Sequence, residues 1–350
     1  MARKIGVGVI GCGGAARIGH LRWYALNPDV ELLAVADIDE ARAASCAKDF
    51  GAEYCFTDYM DLLNLARLDA VSICTPPWLH SEQTVAAAEH GKHVLCEKPM
   101  SRTLKECDEM IEACAKSGVF LMIGFMKRFN PGFQLIKENL KEGKMEKPFH
   151  MDAHWKMYIP PEVKEWRLWD ERTGGGIFQD HGSHYIDLFR WWTGDEVQHV
   201  SAETLKFEEN RKQEDHAVVL LRFTRGAFGV IETSKDTLVD GMQEFGWIHA
   251  KGGSMYFDSP PWDSTDLPVL RVLSPSVYGT GGWSDINLQS DKQKYSTYMF
   301  KREIDHFIRC VLNDEPPAIT GTDGRASVEV VIASYRSNER CQKVRLPLTD

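Results

Sequence analysis

Lys4-Ile5-Gly6-Val7-Gly8-Val9-Ile10 leads into Gly11-Cys12-Gly13-Gly14-Ala15-Ala16, and Glu31-Leu32-Leu33-Ala34-Val35-Ala36-Asp37 follows one helix-length later. An apolar, β-prone run enters a glycine turn, the turn opens a helix-like segment, and a second apolar run ends on an acid. This strand–turn–helix–strand order is the front half of a dinucleotide-binding unit. In the pattern G-x-G-x-x-A, Gly11 lets the chain turn tightly out of the strand. Gly13 removes a side chain where a pyrophosphate approaches the backbone, and Ala16 is small enough for the helix to pack on the strand. The phosphates then meet free N–H groups at the helix N-terminus. Asp37 lies 21 positions after Ala16. A carboxylate there accepts hydrogen bonds from both ribose hydroxyls and repels a 2′-phosphate, which favours NAD over NADP. The competing reading is an ordinary βα turn that is glycine-rich by chance; the strand, helix and acid in sequence weigh against it.

At 350 residues the chain has room for about two domains. Its net charge of −10 argues against nucleic acid or an anionic membrane as the main partner, because both require basic surface. The nine cysteines are odd in number and none forms C-x-x-C; Cys74 and Cys96 sit inside apolar runs. Buried, reduced thiols in a reducing compartment are expected, rather than a disulfide framework or a zinc site. Met1-Ala2-Arg3-Lys4 runs directly into the first strand, and no stretch of 18 apolar residues occurs. The expectation is a cytoplasmic protein.

Beyond Asp37 the alternation continues. Strands are predicted at Tyr54–Phe56, Asp69–Cys74, Lys92–Cys96 and Phe120–Gly124, and helices at Asp39–Phe50, Tyr59–Asn64, Ser81–Glu89 and Thr103–Ser117. That rhythm predicts an α/β fold with a doubly wound parallel sheet over residues 1–125, its turns after Ile10, Cys74 and Cys96 opening on one edge. From residue 126 to 350 a second, α+β domain is expected. It carries a helix near Phe133–Asn139 and strands at Phe149–Lys156, Val197–Glu208, Ala217–Thr224, Ala227–Ser234, Phe245–Ala250, Ser254–Phe257 and Val269–Val272. Tight turns at Arg225-Gly226 and Lys251-Gly252-Gly253 make that sheet mostly antiparallel. A helix is expected over Ile177–Trp192, a surface loop over Ser259–Ser290, and closing helices over Tyr298–Leu312 and Ala326–Gln342.

Two stretches could carry chemistry. Glu97-Lys98-Pro99 ends a predicted parallel strand; Pro99 restricts Lys98, whose charge could stabilise an alkoxide as hydride departs. The alternative is a solvated lysine at a strand end. In Gly174-Gly175-Gly176-Ile177-Phe178-Gln179-Asp180-His181-Gly182-Ser183-His184-Tyr185-Ile186-Asp187, Asp180 and His184 are four apart. On a helix they share one face, about 40° apart. Histidine is a suitable acceptor for an alcohol proton at neutral pH, and Asp180 could hold the imidazole or the substrate. A core histidine, a helix cap, or a metal site built from Asp180, His181, His184 and Asp187 are the competing accounts. Metal is disfavoured, because a nicotinamide can oxidise an alcohol without one. His150 and His154 share a strand face and read as sheet-surface histidines. Trp155, Tyr158, Trp166, Trp169, Trp191 and Trp192 could stack on sugar rings or serve as core. Lys127, Arg128 and Arg167 could donate to hydroxyls or remain solvated charge.

Taken with Ala36-Asp37, Thr75-Pro76-Pro77-Trp78-Leu79-His80, Cys96-Glu97-Lys98-Pro99-Met100 and Thr320-Gly321-Thr322-Asp323-Gly324, these motifs resemble the glucose–fructose oxidoreductase / inositol dehydrogenase / MocA family over nearly the whole chain. The resemblance implies an N-terminal Rossmann domain and a C-terminal domain with a large open sheet whose exposed face mediates homodimers or homotetramers. It implies Lys98, Asp180 and His184 as the catalytic group. It implies a cofactor site made by Gly11, Cys12, Gly13, Gly14, Ala15, Asp37, Ile38, Thr75, Pro76, Pro77, His80, Glu97 and Lys98. Substrate is then expected at Lys127, Arg128, Tyr158, Trp166, Arg167, Asp180 and His184, with no metal. Ala16 departs from the usual third glycine, a change that the family tolerates.

The expected activity is NAD-dependent hydride transfer between a secondary hydroxyl or ketone of an inositol, sugar or glycoside and the nicotinamide. Phe125-Met126-Lys127-Arg128-Phe129-Asn130 looks like the inositol-type members, whereas Tyr158–Trp169 is long for a bare inositol and hints at a glycoside. Two alternatives stand beside it. One is a glycoside 3-dehydrogenase or lyase that keeps and recycles its NAD. The other is a non-catalytic NAD-binding sensor, against which the intact Lys98, Asp180 and His184 argue.

Overall fold

The computed structural model describes residues 3–163, 165–259, 269–274, 282–286, 288 and 295–349. The chain divides into two compact units: Met1–Met126 with Thr297–Ala326, and Lys127–Ser296 with Ser327–Asp350. The sequence reading gave all of 126–350 to the second domain. Instead, residues 297–326 return to the first unit. Asn27 donates to Asp305 at 3.0 Å, Arg325 to Asp108 at 2.6 Å, and Met122 bridges Thr320, so the returning segment has specific polar partners there.

In the first unit β1 (Ile5–Ile10), β2 (Val30–Ala36), β3 (Tyr54–Phe56), β4 (Ala70–Ile73), β5 (His93–Cys96) and β6 (Leu121–Ile123) form one sheet in the order β3-β2-β1-β4-β5-β6. Every pairing is parallel. Every residue of β1 and of β4 is buried, because helices cover both faces of such a sheet, and this is why these strands read as unbroken apolar runs. Helix Glu40–Phe50 starts where Asp39 accepts the Arg42 N–H, and helix Leu104–Ser117 where Thr103 accepts that of Glu106. Gly51 and Gly118 end them in the left-handed conformation. Strand order reverses between β1 and β4, which makes the C-terminal edge there the crevice of a doubly wound fold.

The second unit is built on β7 (Pro148–Met157), β8 (Val197–Leu205), β9 (His216–Phe223), β10 (Phe228–Ser234), β11 (Met242–Ala250), β12 (Gly253–Ser259), β13 (Val269–Leu273), β14 (Ser284–Ile286) and β15 (Val344–Arg345). They run in the order β14-β13-β12-β11-β7-β10-β9-β8-β15. The sheet is antiparallel except where β7 pairs β10 in parallel. Alternation is clean: in β9, Ala217, Val219, Leu221 and Phe223 are buried while Val218 and Leu220 are exposed. The buried face packs Phe133, Trp155, Ile186, Phe189, Trp192 and Phe257 into one core, and the Trp192 indole donates to Phe133 O at 3.0 Å. Each such side chain contributes about 1.5–3 kcal/mol on burial.

Two boundaries differ from the sequence reading. The last helix is Gly321–Arg340, not one that starts at Ala326, because the Asp323 carboxylate accepts the Thr320 N–H at 2.9 Å and ties down the start of the first turn. Within the loop expected at Ser259–Ser290, β13 is the strand expected at Val269–Val272, whereas β14 is an additional one; residues 260–268, 275–281, 287, 289 and 290 lie outside the described residues. Among the described residues no helix is long and apolar enough to cross a membrane.

Candidate active site

The glycine turn of the first unit is shaped as a pyrophosphate cradle. Gly11 has φ +90°, and a Cβ there would stand 2.9 Å from the Cys74–Thr75 backbone. Around Gly13 and Gly14 there is open space: a Cβ at either position would meet no heavy atom within 4 Å. Ala15 leads into a helix whose first turn, Ala16–Leu21, is π-helical, a form that recurs at functional sites. Asp37, at the end of β2, accepts the Cys12 N–H at 2.8 Å and the Asp39 N–H at 3.0 Å, with Arg42 3.3 Å away. The Cys12 amide is therefore turned to Asp37. A carboxylate has about four acceptor positions, so Asp37 can still take ribose hydroxyls. Ile38 beside it is 93% exposed. The open cradle and the acid at the strand end fit NAD.

The turns after β4 and β5 are tied together from behind. His80 is fully buried, with Nδ1 3.0 Å from Pro99 O and Nε2 2.8 Å from Thr75 O; burial lowers its pKa. It thereby holds the Thr75-Pro76-Pro77 turn against the Lys98–Pro99 turn. Thr75 donates to Gln83 at 2.6 Å. Glu97 lies against His20, Oε1 to Nε2 2.9 Å, and accepts the Lys98 N–H at 3.1 Å. Burial alone would raise the Glu97 pKa; the His20 hydrogen bond and the charges of His20 and Lys98 outweigh it and hold the group below its usual range. His20 reaches Ser72 at 3.0 Å and Ser72 meets Tyr24 at 2.6 Å, so a buried polar network fixes the backbone that carries Lys98.

In the second unit the glycine cluster has a mechanical cause. A Cβ on Gly176 would come 2.0 Å from Glu214 O. The buried Glu214 carboxylate accepts the N–H of Gly176 at 2.8 Å and of Phe178 at 3.0 Å, and the Tyr335 hydroxyl at 2.8 Å. It thereby clamps the start of the helical stretch that opens as a π-turn, Phe178–Gly182, and continues as Ser183–Thr193. Asp180 belongs to the wider turn and His184 to the α-helix. They are 9% and 2% exposed. Arg167 Nε stands 3.2 Å from Asp180, His181 Nε2 3.4 Å and Lys235 Nζ 3.7 Å. His181 stacks on Trp155 at 3.6 Å.

Other expected ligands are placed differently. Arg128 is buried and forms a bidentate pair with Asp187, at 2.8 and 2.6 Å. Asp187 and Arg128 are thereby engaged in a buried ion pair. Lys127, also buried, is bonded to Glu244 and lies 3.2 Å from the Tyr185 hydroxyl. Trp155 and Trp192 are core, while Tyr158 and Trp166 are 41% and 37% exposed, with Arg167 over the Trp166 ring at 4.5 Å. Sequence reasoning missed Lys235, Glu165 and Glu214. Lys235 is 2% exposed and donates to Glu165 at 2.7 Å. A lysine directly after an apolar strand was the only hint.

Residues 5–125 match the oxidoreductase family with an NAD-binding Rossmann fold, and residues 133–255 match the GFO/IDH/MocA C-terminal domain. The chain belongs to the GFO/IDH/MocA oxidoreductase family. Among curated GFO/IDH/MocA relatives, it is 32% identical to the myo-inositol 2-dehydrogenase of Thermotoga maritima, over 97% of this chain and 98% of that one. It is 28% identical to the scyllo-inositol 2-dehydrogenase (NAD(+)) of Bacillus subtilis, over 99% and 97%. The solved aldose-aldose oxidoreductase of Caulobacter crescentus, complexed with glycerol, superposes with a TM-score of 0.86 at 26% identity, covering 98% of this chain and all of that one. NAD is the GFO/IDH/MocA cofactor that the cradle fits; when bound, it supplies the hydride acceptor.

Proposed function

We propose that this GFO/IDH/MocA protein oxidises a secondary hydroxyl of an inositol, sugar or glycoside with NAD, with Lys98, Asp180 and His184 as the catalytic residues. The clamped helix start carries the reading. Glu214 fixes the segment that presents a buried Asp180 beside Arg167 and Lys235, with His184 one turn on. Lys98 polarises the substrate oxygen and stabilises the developing alkoxide. His184 accepts the hydroxyl proton, and Asp180 orients the imidazole or bonds a neighbouring hydroxyl. Gly11, Gly13, Gly14, Ala15, Asp37, Ile38 and the Thr75-Pro76-Pro77 turn hold the cofactor. Arg167, Trp166 and Tyr158 bind the substrate ring.

The exposed Trp166 and Tyr158 favour a glycoside over a bare inositol, since aromatic faces suit a second ring. We further propose a cytoplasmic homodimer or homotetramer formed through the open sheet, whose uncovered face exposes Val218, Leu220 and Phe228. The test is a panel of inositols, free sugars and O- and C-glycosides read by absorbance of reduced cofactor. Turnover on one class fixes the substrate; NAD binding without turnover on any would point to a sensor.

A further inference from the structure

The register of the second sheet sets His249 of β11 directly opposite His150 of β7, with Asp152 two residues along on the same face. One ring nitrogen from each histidine and a carboxylate oxygen of Asp152 all lie within 4.8 Å of one another, and His150 Nε2 is 3.9 Å from Asp152 Oδ2. Among the described residues no other group of three His, Cys, Asp or Glu converges this closely.

Each member is already oriented by a neighbour. Ser254 Oγ is 2.7 Å from His249 Nδ1; with that nitrogen donating, Nε2 keeps its lone pair for a ligand. Phe228 stacks on His150 at 4.8 Å and sets its ring plane. His154 Nε2 is 3.1 Å from Asp152 Oδ1, and its Nδ1 is 2.7 Å from Glu232 Oε2. The two imidazole centroids are 5.6 Å apart, a spacing at which both rings can reach one tetrahedral ion.

We propose that His150, Asp152 and His249 bind a divalent first-row cation of the zinc class, with a fourth donor completing the coordination. Two imidazoles and one carboxylate select such an ion over magnesium or calcium, which prefer all-oxygen shells. The site uses no residue of the proposed dehydrogenase machinery and stands or falls apart from it.

The test titrates chelator-stripped, full-length protein with Zn²⁺ by calorimetry, and with Co²⁺ by visible absorption. The expected result is one Zn²⁺ per chain and the intense bands of a four-coordinate Co²⁺. Removing the orienting hydroxyl by Ser254→Ala should weaken Zn²⁺ about tenfold, and His249→Ala or His150→Gln by more. NADH production by His249→Ala should match wild type. If His249→Ala fails to fold by circular dichroism, Asp152→Asn reads the same quantity. No Zn²⁺ uptake by wild type, or equal uptake by wild type and the folded variants, overturns the proposal.

Discussion

The Lys235 ammonium stands 3.7 Å from the Asp180 carboxylate and 2.7 Å from that of Glu165, although its side chain is almost wholly buried. A lysine so placed sets the charge around Asp180 and pins the segment that carries Trp166 and Arg167. Lys235→Met should cost about 3–5 kcal/mol of stability, because two carboxylates lose a buried partner. It should also lower kcat/KM, and Lys235→Arg should restore much of both. Urea unfolding beside steady-state kinetics checks this. Equal kinetics in Lys235→Met would remove Lys235 from the active site.

Glu214 makes a second, independent prediction. Burial raises its pKa against the opposing pull of its hydrogen bonds to Tyr335, Phe178 and Gly176. An acid whose folded pKa is raised binds more protons folded than unfolded. Its stabilisation is full below the unfolded value and is lost as pH rises through the folded one. Glu214→Gln should therefore flatten the fall in stability on the alkaline side of the ordinary carboxylate range. It should also lower kcat, because a Gln side chain offers one carbonyl where the carboxylate serves two backbone N–H groups. Thermal melts across pH, with activity at each pH, are the measurement.

Asp37 decides the cofactor. Asp37→Ser should weaken NAD and narrow the discrimination against NADP, more so because Arg42 is 3.3 Å away and would be released to meet a 2′-phosphate. Fluorescence titrations with NADH and NADPH report both affinities. An unchanged preference would mean that Asp37 does not contact the ribose.

The fold was legible because its signals are local. Parallel strands buried on both faces read as apolar runs, glycine turns mark their ends, and alternation marks the second sheet. What escaped is what the chain assembles over long separations. The return of residues 297–326 to the first unit rests on side-chain pairs such as Asn27–Asp305, which leave no periodic trace. Arg128 looked available because its partner Asp187 is 59 residues away. Glu214 and Lys235 were missed for the same reason: each acts on a motif in another element. The short π-turn at Phe178–Gly182 followed a helix signal and could not be told from an α-turn.

The proposed chemistry assigns a lysine and a histidine to one hydride transfer, and the two can be removed separately. Steady-state NADH production as a function of pH should be compared for wild type, Lys98→Ala and His184→Ala on the best polyol, sugar or glycoside of the panel. We predict a loss of about 10²–10⁴ in kcat for each variant, with NADH affinity retained, and the loss of the acidic limb from the profile of whichever variant lacks the base. Wild-type turnover in either variant would contradict the account.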